Sequence, residues 1–260
     1  MFRSERYDMW QNVVTAQTFV KDLLSIVMKN TIETTQGCTA APAKPRGRPL
    51  SFDRDTVLDK AMHVFWEHGY EAASISDLTA AMGITPPSLY TAFGDKAHLF
   101  MEAIERYGKG PGGFGQRALD EEPTARRAVH RLLNEAAHEL TRDCHPLGCM
   151  MVMAATNCSV AAGHIQIALV KRRALGVSMI QARIQRGIDE GELPAATEAG
   201  ALANFYATVY QGMSMQAKDG MPRASLLASV VMAMRSWPVA GAPVTARTSR
   251  PAKKRATAAS

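Results

Sequence analysis

From Asp53 to Trp237 the apolar residues recur three and four positions apart, and no stretch long enough for a strand alternates apolar with polar residues. A chain so patterned can hide its apolar surface only by packing amphipathic helices on one another, so the expected class is all-α. With 47% apolar content, 260 residues suffice to bury a sizeable core. No apolar run approaches the roughly 18 residues of a membrane-spanning helix. Lys21, Asp22 and Lys29 interrupt the first 35 residues, so a cytoplasmic protein with no membrane partner is expected.

Composition shifts divide the chain into an extension with a basic arm (1–50), a DNA-binding domain (51–109), a ligand-sensing and dimerisation domain (116–238) and a basic, disordered tail (239–260). In the extension Trp10, Val13, Val14, Val20, Leu24 and Val27 fall at helical spacing. That pattern fits an extra docking helix, a frayed extension, or a translation start at Met28.

The second segment carries the most specific punctuation. A helix from about Asp53 to His68 is capped by Asp53 and stopped by Gly69. Ser74 opens a short second helix and forms a capping box with Asp77. Gly83 makes a tight turn, Ile84 plugs the corner, and Thr85 caps a third helix whose first residue is Pro86. Leu89 and Phe93 point inward, leaving Pro87, Ser88, Tyr90 and Thr91 to face outward. A short face rich in hydroxyls can enter the major groove: Thr85 and Ser88 suit phosphates or base edges, Pro86 and Pro87 a thymine methyl, and Tyr90 a phosphate. A fourth helix from about Asp95 to Tyr107 offers its N-terminus and Lys96 to the backbone. The helix-turn-helix spans about 74–93.

The run Phe65 to Tyr70, Ser74-Ile75-Ser76-Asp77-Leu78, Gly83 through Lys96, and Leu99-Phe100 resembles the N-terminal domain of the TetR family of repressors. The resemblance implies a DNA-contact set containing Thr85, Pro86, Ser88, Tyr90, Thr91 and Lys96, to which the capping Ser74 and neighbouring Pro87 are added. It also implies a fold of about nine helices, a homodimer on a palindromic double-stranded operator, and a C-terminal pocket for a small-molecule effector. The sequence differs from the commonest family pattern at Pro86 and Pro87, where Lys and Gly are frequent.

The formal charge of +6 is unevenly placed. Residues 49–109 hold nine carboxylates against five Lys and Arg, so general basicity does not bring this unit to DNA. Excess positive charge lies in Lys44, Arg46 and Arg48, and again between Arg247 and Arg255. Pro45-Arg46-Gly47-Arg48-Pro49 resembles the core of an AT-hook, in which an extended backbone carries Arg46 and Arg48 into a narrow minor groove; a solvated charged linker is the alternative. Lys253-Lys254-Arg255 reads as a solvating tail.

Beyond a Gly-rich break at 110–115, helices are expected at about 124–142, 148–158, 164–190, 197–218 and 223–237. The last two are apolar over much of their surface, including Ala203, Ala207, Val209, Met213, Leu226, Val230 and Met234. Pairing with a second copy would make a four-helix interface over about 197–237; an intramolecular core is the alternative. Met150 and Met153 are the candidate ligand-binding residues, because thioethers adapt to apolar ligands, although Met at helical spacing also serves as core. Cys149, at an expected helix start, is a candidate redox or electrophile-reactive thiol or else a small core residue. The Gly148-Cys149 pair resembles TetR relatives of which some answer to electrophiles, oxidants or copper. The spacing of Cys144, His145, Cys149 and Cys158 does not suit zinc, and no cofactor is expected. No Gly-rich phosphate loop or nucleophile motif argues for an enzyme. An effector-independent architectural DNA-binding protein is the remaining alternative.

Overall fold

The structure, a computed structural model, describes residues 52–238. The arm with Arg46 and Arg48, and the tail after residue 238, lie outside the described residues. Within them the protein has ten α-helices, one 3-10 turn and no strand.

Helix α1 (Arg54–Ala72) begins at Asp53, whose carboxylate accepts the Asp55 N–H at 3.2 Å and the Thr56 hydroxyl at 2.6 Å. The helical dihedrals break at Gly69, with φ 78° and ψ 175°, as the sequence suggests. One further turn follows because the Tyr70 N–H freed by the break donates to the Ala154 carbonyl at 2.7 Å, far along the chain. Then come α2 (Ile75–Met82), α3 (Pro86–Phe93) and α4 (Lys96–Lys109). Phe65, edge-on to Phe100 at 5.0 Å, and Trp66, edge-on to Tyr107 at 4.8 Å, pin α1 against α4.

The Gly-rich stretch is more structured than expected. A 3-10 turn (Pro111–Gly113) leads directly into α5 (Phe114–Glu121), which buries Phe114, Ala118 and Leu119. The remaining elements are α6 (Ala125–Glu139), α7 (Met150–Met153), α8 (Gly163–Asp189), α9 (Ala199–Lys218) and α10 (Arg223–Met234). The helix expected over 148–158 contracts to the single turn of α7, because the Ala154 carbonyl leaves the helix to meet Tyr70.

One continuous apolar core joins α1–α4 to the later helices. The junction is also polar. Trp66 Nε1 donates to the Gly148 carbonyl at 3.1 Å, the His145 ring stacks on Trp66 at 4.3 Å, and the Ser159 N–H donates to the Glu71 carboxylate at 2.7 Å. Lys218 Nζ lies 3.0 Å from Glu67. Helices α1–α4 and the later helices are therefore in direct contact around Trp66 to Glu71.

Candidate functional site: a nucleic-acid interface and a cavity behind it

The reading head is built on its caps. The Ser74 hydroxyl accepts the Asp77 N–H at 3.1 Å while the Asp77 carboxylate accepts the Ser74 N–H at 3.1 Å. These contacts hold the Asp77 carboxyl below its usual range, the Ser74 hydroxyl contributing most. Gly83 turns the chain at φ 72°, and Thr85 caps α3 with its hydroxyl 3.0 Å from that of Ser88. Leu89 and Phe93 are buried beneath.

Pro86, Pro87, Tyr90 and Thr91 are exposed with Thr85, and Ser88 is half-buried at the edge of the same face. Tyr90 leaves half its surface in solvent although it follows a residue with none. Its phenol is thus an outward donor on an otherwise small-residue face. The Thr91 hydroxyl donates to the Pro87 carbonyl at 2.8 Å, which leaves its methyl and lone pairs outward.

Two neighbours depart from the expected picture. Lys96 turns its ammonium back over the Tyr70 ring, 4.6 Å from the centroid, and donates to the Glu71 carbonyl at 3.4 Å. Desolvation there lowers its pKa, opposed by the Glu71 charge. The N-terminus of α4 carries its own anion, because Asp95 accepts the His98 N–H at 2.8 Å. A phosphate would meet that carboxylate as well as the helix dipole.

Sequence reasoning missed Arg54. Its guanidinium lies 4.5 Å over the Phe93 ring, donates to the Ala92 carbonyl at 3.3 Å and bonds Glu102 at 2.8 Å. It thereby ties the end of α3 to α1 and α4. As the first residue of α1 it carried no sequence signal, since its partners are some 40 and 50 residues away.

Behind the head, α4–α9 line a half-open cavity of about 260 Å³. The methionine expectation shifts in register: Met150 is fully buried in the core, Met150 and Met153 are both absent from the cavity wall, and Met151 lines it. A single helical turn puts adjacent residues on different faces. Cys149 is buried and also lines the cavity, its N–H donating to the Ser214 hydroxyl at 2.9 Å. The Tyr107 and Tyr210 hydroxyls flank its thiol, and burial pushes both phenols well above their ordinary range. Arg173, donating to the Met151 carbonyl at 3.0 Å, adds a cation to the same wall, which Gln116, Arg172 and Gln211 also line. Tyr107, Arg173 and Tyr210 were not singled out from sequence, because each belongs to a different helix.

Residues 57–103 match the model of the bacterial regulatory proteins of the tetR family, and residues 120–226 match a tetracyclin repressor-like C-terminal domain. Together the matches span more than half of the chain. This protein belongs to the TetR family. It is 34% identical over 201 residues to the HTH-type transcriptional repressor ComR of Escherichia coli K12, covering 77% of this chain and 96% of that protein. Identity to the HTH-type transcriptional repressor BdcR of the same organism is 27% over 202 residues, covering 75% and 94%. Among solved structures, a cysteine mutant of the TetR family transcriptional regulator CifR, complexed with 26 bp double-strand operator DNA, superposes with a TM-score of 0.72 at 46% identity, covering 74% of this chain and all of that one. As a TetR family regulator the chain is not an enzyme, and its fold, an N-terminal helix-turn-helix followed by a helical C-terminal domain, is the family's. Among the described residues no helix is long and apolar enough to cross a membrane, and no three His, Cys, Asp or Glu side chains are grouped as metal ligands.

Proposed function

We propose that this TetR family protein is a transcriptional repressor whose homodimer reads a palindromic operator through two copies of α3 and lets go when a small molecule enters the cavity beside Cys149. The exposed face of Thr85, Pro86, Pro87, Ser88, Tyr90 and Thr91, on a helix clamped by Arg54, carries the reading. Such a face needs no net positive charge to select bases, because hydrogen bonds and methyl contacts in the groove supply the selection. Domain limits of 51–109 and 116–238 suit this division of labour. A DNA partner suits a cytoplasmic location.

Of the apolar residues expected at the dimer interface, Ala203, Ala207, Met213, Leu226, Val230 and Met234 are instead buried in the chain's own core, so dimerisation through α9 and α10 is supported by the other residues that their outer faces hold. Phe205, Val231 and Met232 are 40%, 55% and 58% exposed on the single chain. Large apolar side chains at this density on two adjacent helices suit a four-helix interface.

Release has a physical route. Cys149 stands at the N-terminal cap of α7 and faces the cavity, and Ala154 at the other end holds the Tyr70 N–H of the reading head. One helical turn separates them. An effector that displaces α7 moves the end of α1, and with it the spacing of the two reading helices. The buried thiol in the cavity wall favours a second reading, in which covalent modification of Cys149 supplies the displacement. Release by an electrophile that persists in Cys149→Ser protein would remove that reading.

The test of the main proposal is operator footprinting and gel shift with Tyr90→Ala and Ser88→Ala. Each should weaken binding by about fivefold to tenfold, the loss of roughly 1–1.4 kcal/mol of hydrogen bonding, with sedimentation unchanged. Wild-type affinity in both variants would refute α3 as the reader.

A further inference from the structure

We propose that the cavity beside Cys149 is selective for a small monocarboxylate with an apolar body, held by Arg173 and the Tyr107 and Tyr210 hydroxyls. This deepens the effector reading above and rests on it.

The wall contains two arginines and no Asp or Glu. Arg172 is engaged outward with Glu105 at 3.1 Å. Arg173 has no carboxylate within ion-pair distance among the described residues, and one of its nitrogens donates to the Met151 carbonyl. A guanidinium carries five N–H donors, so the rest of the fork is available to the cavity. Partial burial makes that uncompensated charge costly, and burial correspondingly lowers the Arg173 pKa, opposed by the nearby Cys149 thiol. An incoming anion relieves the cost.

The phenols point to the same chemistry. Neither hydroxyl has a protein oxygen as acceptor among the described residues; the Cys149 sulfur, a weak acceptor, is the group beside both. Because burial keeps them protonated far above neutral pH, they are fixed donors. Three donor groups on three helices, α4, α8 and α9, thus converge on a space with no carboxylate of its own. A carboxylate has two oxygens and about four lone-pair sites to offer them. A phosphate dianion suits the site less well: with Arg172 paired to Glu105, the single free guanidinium leaves its second charge unmatched in a wall whose other polar side chains, Gln116 and Gln211 among them, are neutral. At about 260 Å³ the cavity limits the apolar body to a short chain or one ring.

The arrangement also links occupancy to the reading head. The Met151 carbonyl held by Arg173 belongs to α7, whose following carbonyl, that of Ala154, holds Tyr70. Drawing the guanidinium toward a bound carboxylate pulls on that turn.

Calorimetry on the full chain with butyrate, hexanoate, octanoate, benzoate and phenylacetate, each beside its primary amide, tests the proposal. At least one acid should bind tenfold or more tightly than its amide. Arg173→Gln should erase that ratio while leaving amide affinity in place. Tyr210→Phe, which removes a single hydroxyl and keeps the ring, guards against misfolding of the arginine variant and should weaken the acid threefold to tenfold. Equal binding of acid and amide, acid binding unchanged in both variants, or no binding by any acid overturns the anion preference. The effector reading itself is tested separately with Gly176→Leu, which grows a side chain into the cavity from a position where a Cβ meets nothing within 4 Å. Any compound that frees operator from wild type should fail on this variant; one that frees both acts elsewhere and overturns the reading on which the carboxylate site rests.

Discussion

Replacing Gly69 by Ala perturbs the point where α1 meets the end of α7. Gly69 has φ 78° and ψ 175°, a region open essentially to glycine alone, so an L side chain there costs about 1–3 kcal/mol in backbone strain. The new Cβ would also stand 3.2 Å from the Ala154 carbonyl oxygen, which accepts the Tyr70 N–H at 2.7 Å. The carbonyl cannot retreat from the methyl without stretching that bond, whose net worth is about 0.5–1.5 kcal/mol. Together these give a destabilisation of about 2–4 kcal/mol. Gly220→Ala is the matched control: it also has a positive φ, 87°, but a Cβ there meets nothing within 4 Å. Its cost should be the backbone's alone, about 1–2 kcal/mol. Urea unfolding followed by circular dichroism, at one fixed protein concentration because dimerisation adds to apparent stability, measures both. Gly69→Ala should lower the midpoint clearly more than Gly220→Ala. Equal losses would mean that the Tyr70–Ala154 contact does not constrain the chain, and the proposed route from cavity to reading head would fall with it.

Other consequences can be measured independently. Val231→Glu should give a monomer by sedimentation and abolish tight operator binding, because two-fold symmetry buries two new charges at about several kcal/mol each; a variant that still dimerises at wild-type concentrations would place the interface elsewhere. The Asp77 carboxyl is held below 3.8 by Ser74, so its stabilising contribution is complete above that value and is lost as pH falls through the lower folded-state value. The stability gap between wild type and Ser74→Ala should therefore be widest near neutrality and narrow below about pH 4; a gap independent of pH would show that the carboxylate plays no part in the capping box.

The local punctuation of the reading head was legible because its causes are local. Asp53, Ser74, Thr85 and Pro86 act on backbone groups within three residues, and Gly69 and Gly83 act through their own dihedrals. The helical period likewise needs no distant partner to be read. The limits of α7 were not legible for the opposite reason. The Gly148–Cys158 stretch has the composition of a longer helix, but its Ala154 carbonyl is taken by Tyr70, 84 residues earlier in the chain. The orientation of Lys96 is likewise set by Tyr70 and Glu71, on a different helix.

By itself, then, the sequence determined the all-helical class, the helix-turn-helix with its outward Thr85, Ser88 and Tyr90, and the acidic balance of the head, since each follows from residue types at short spacing. Only the tertiary structure decided which methionine reaches the cavity, that Arg54 steadies α3, and that Tyr107, Cys149, Arg173 and Tyr210 share one wall. Those residues sit on separate elements, and which of them meet is fixed by how the helices pack, a property of the whole core rather than of any window along the chain.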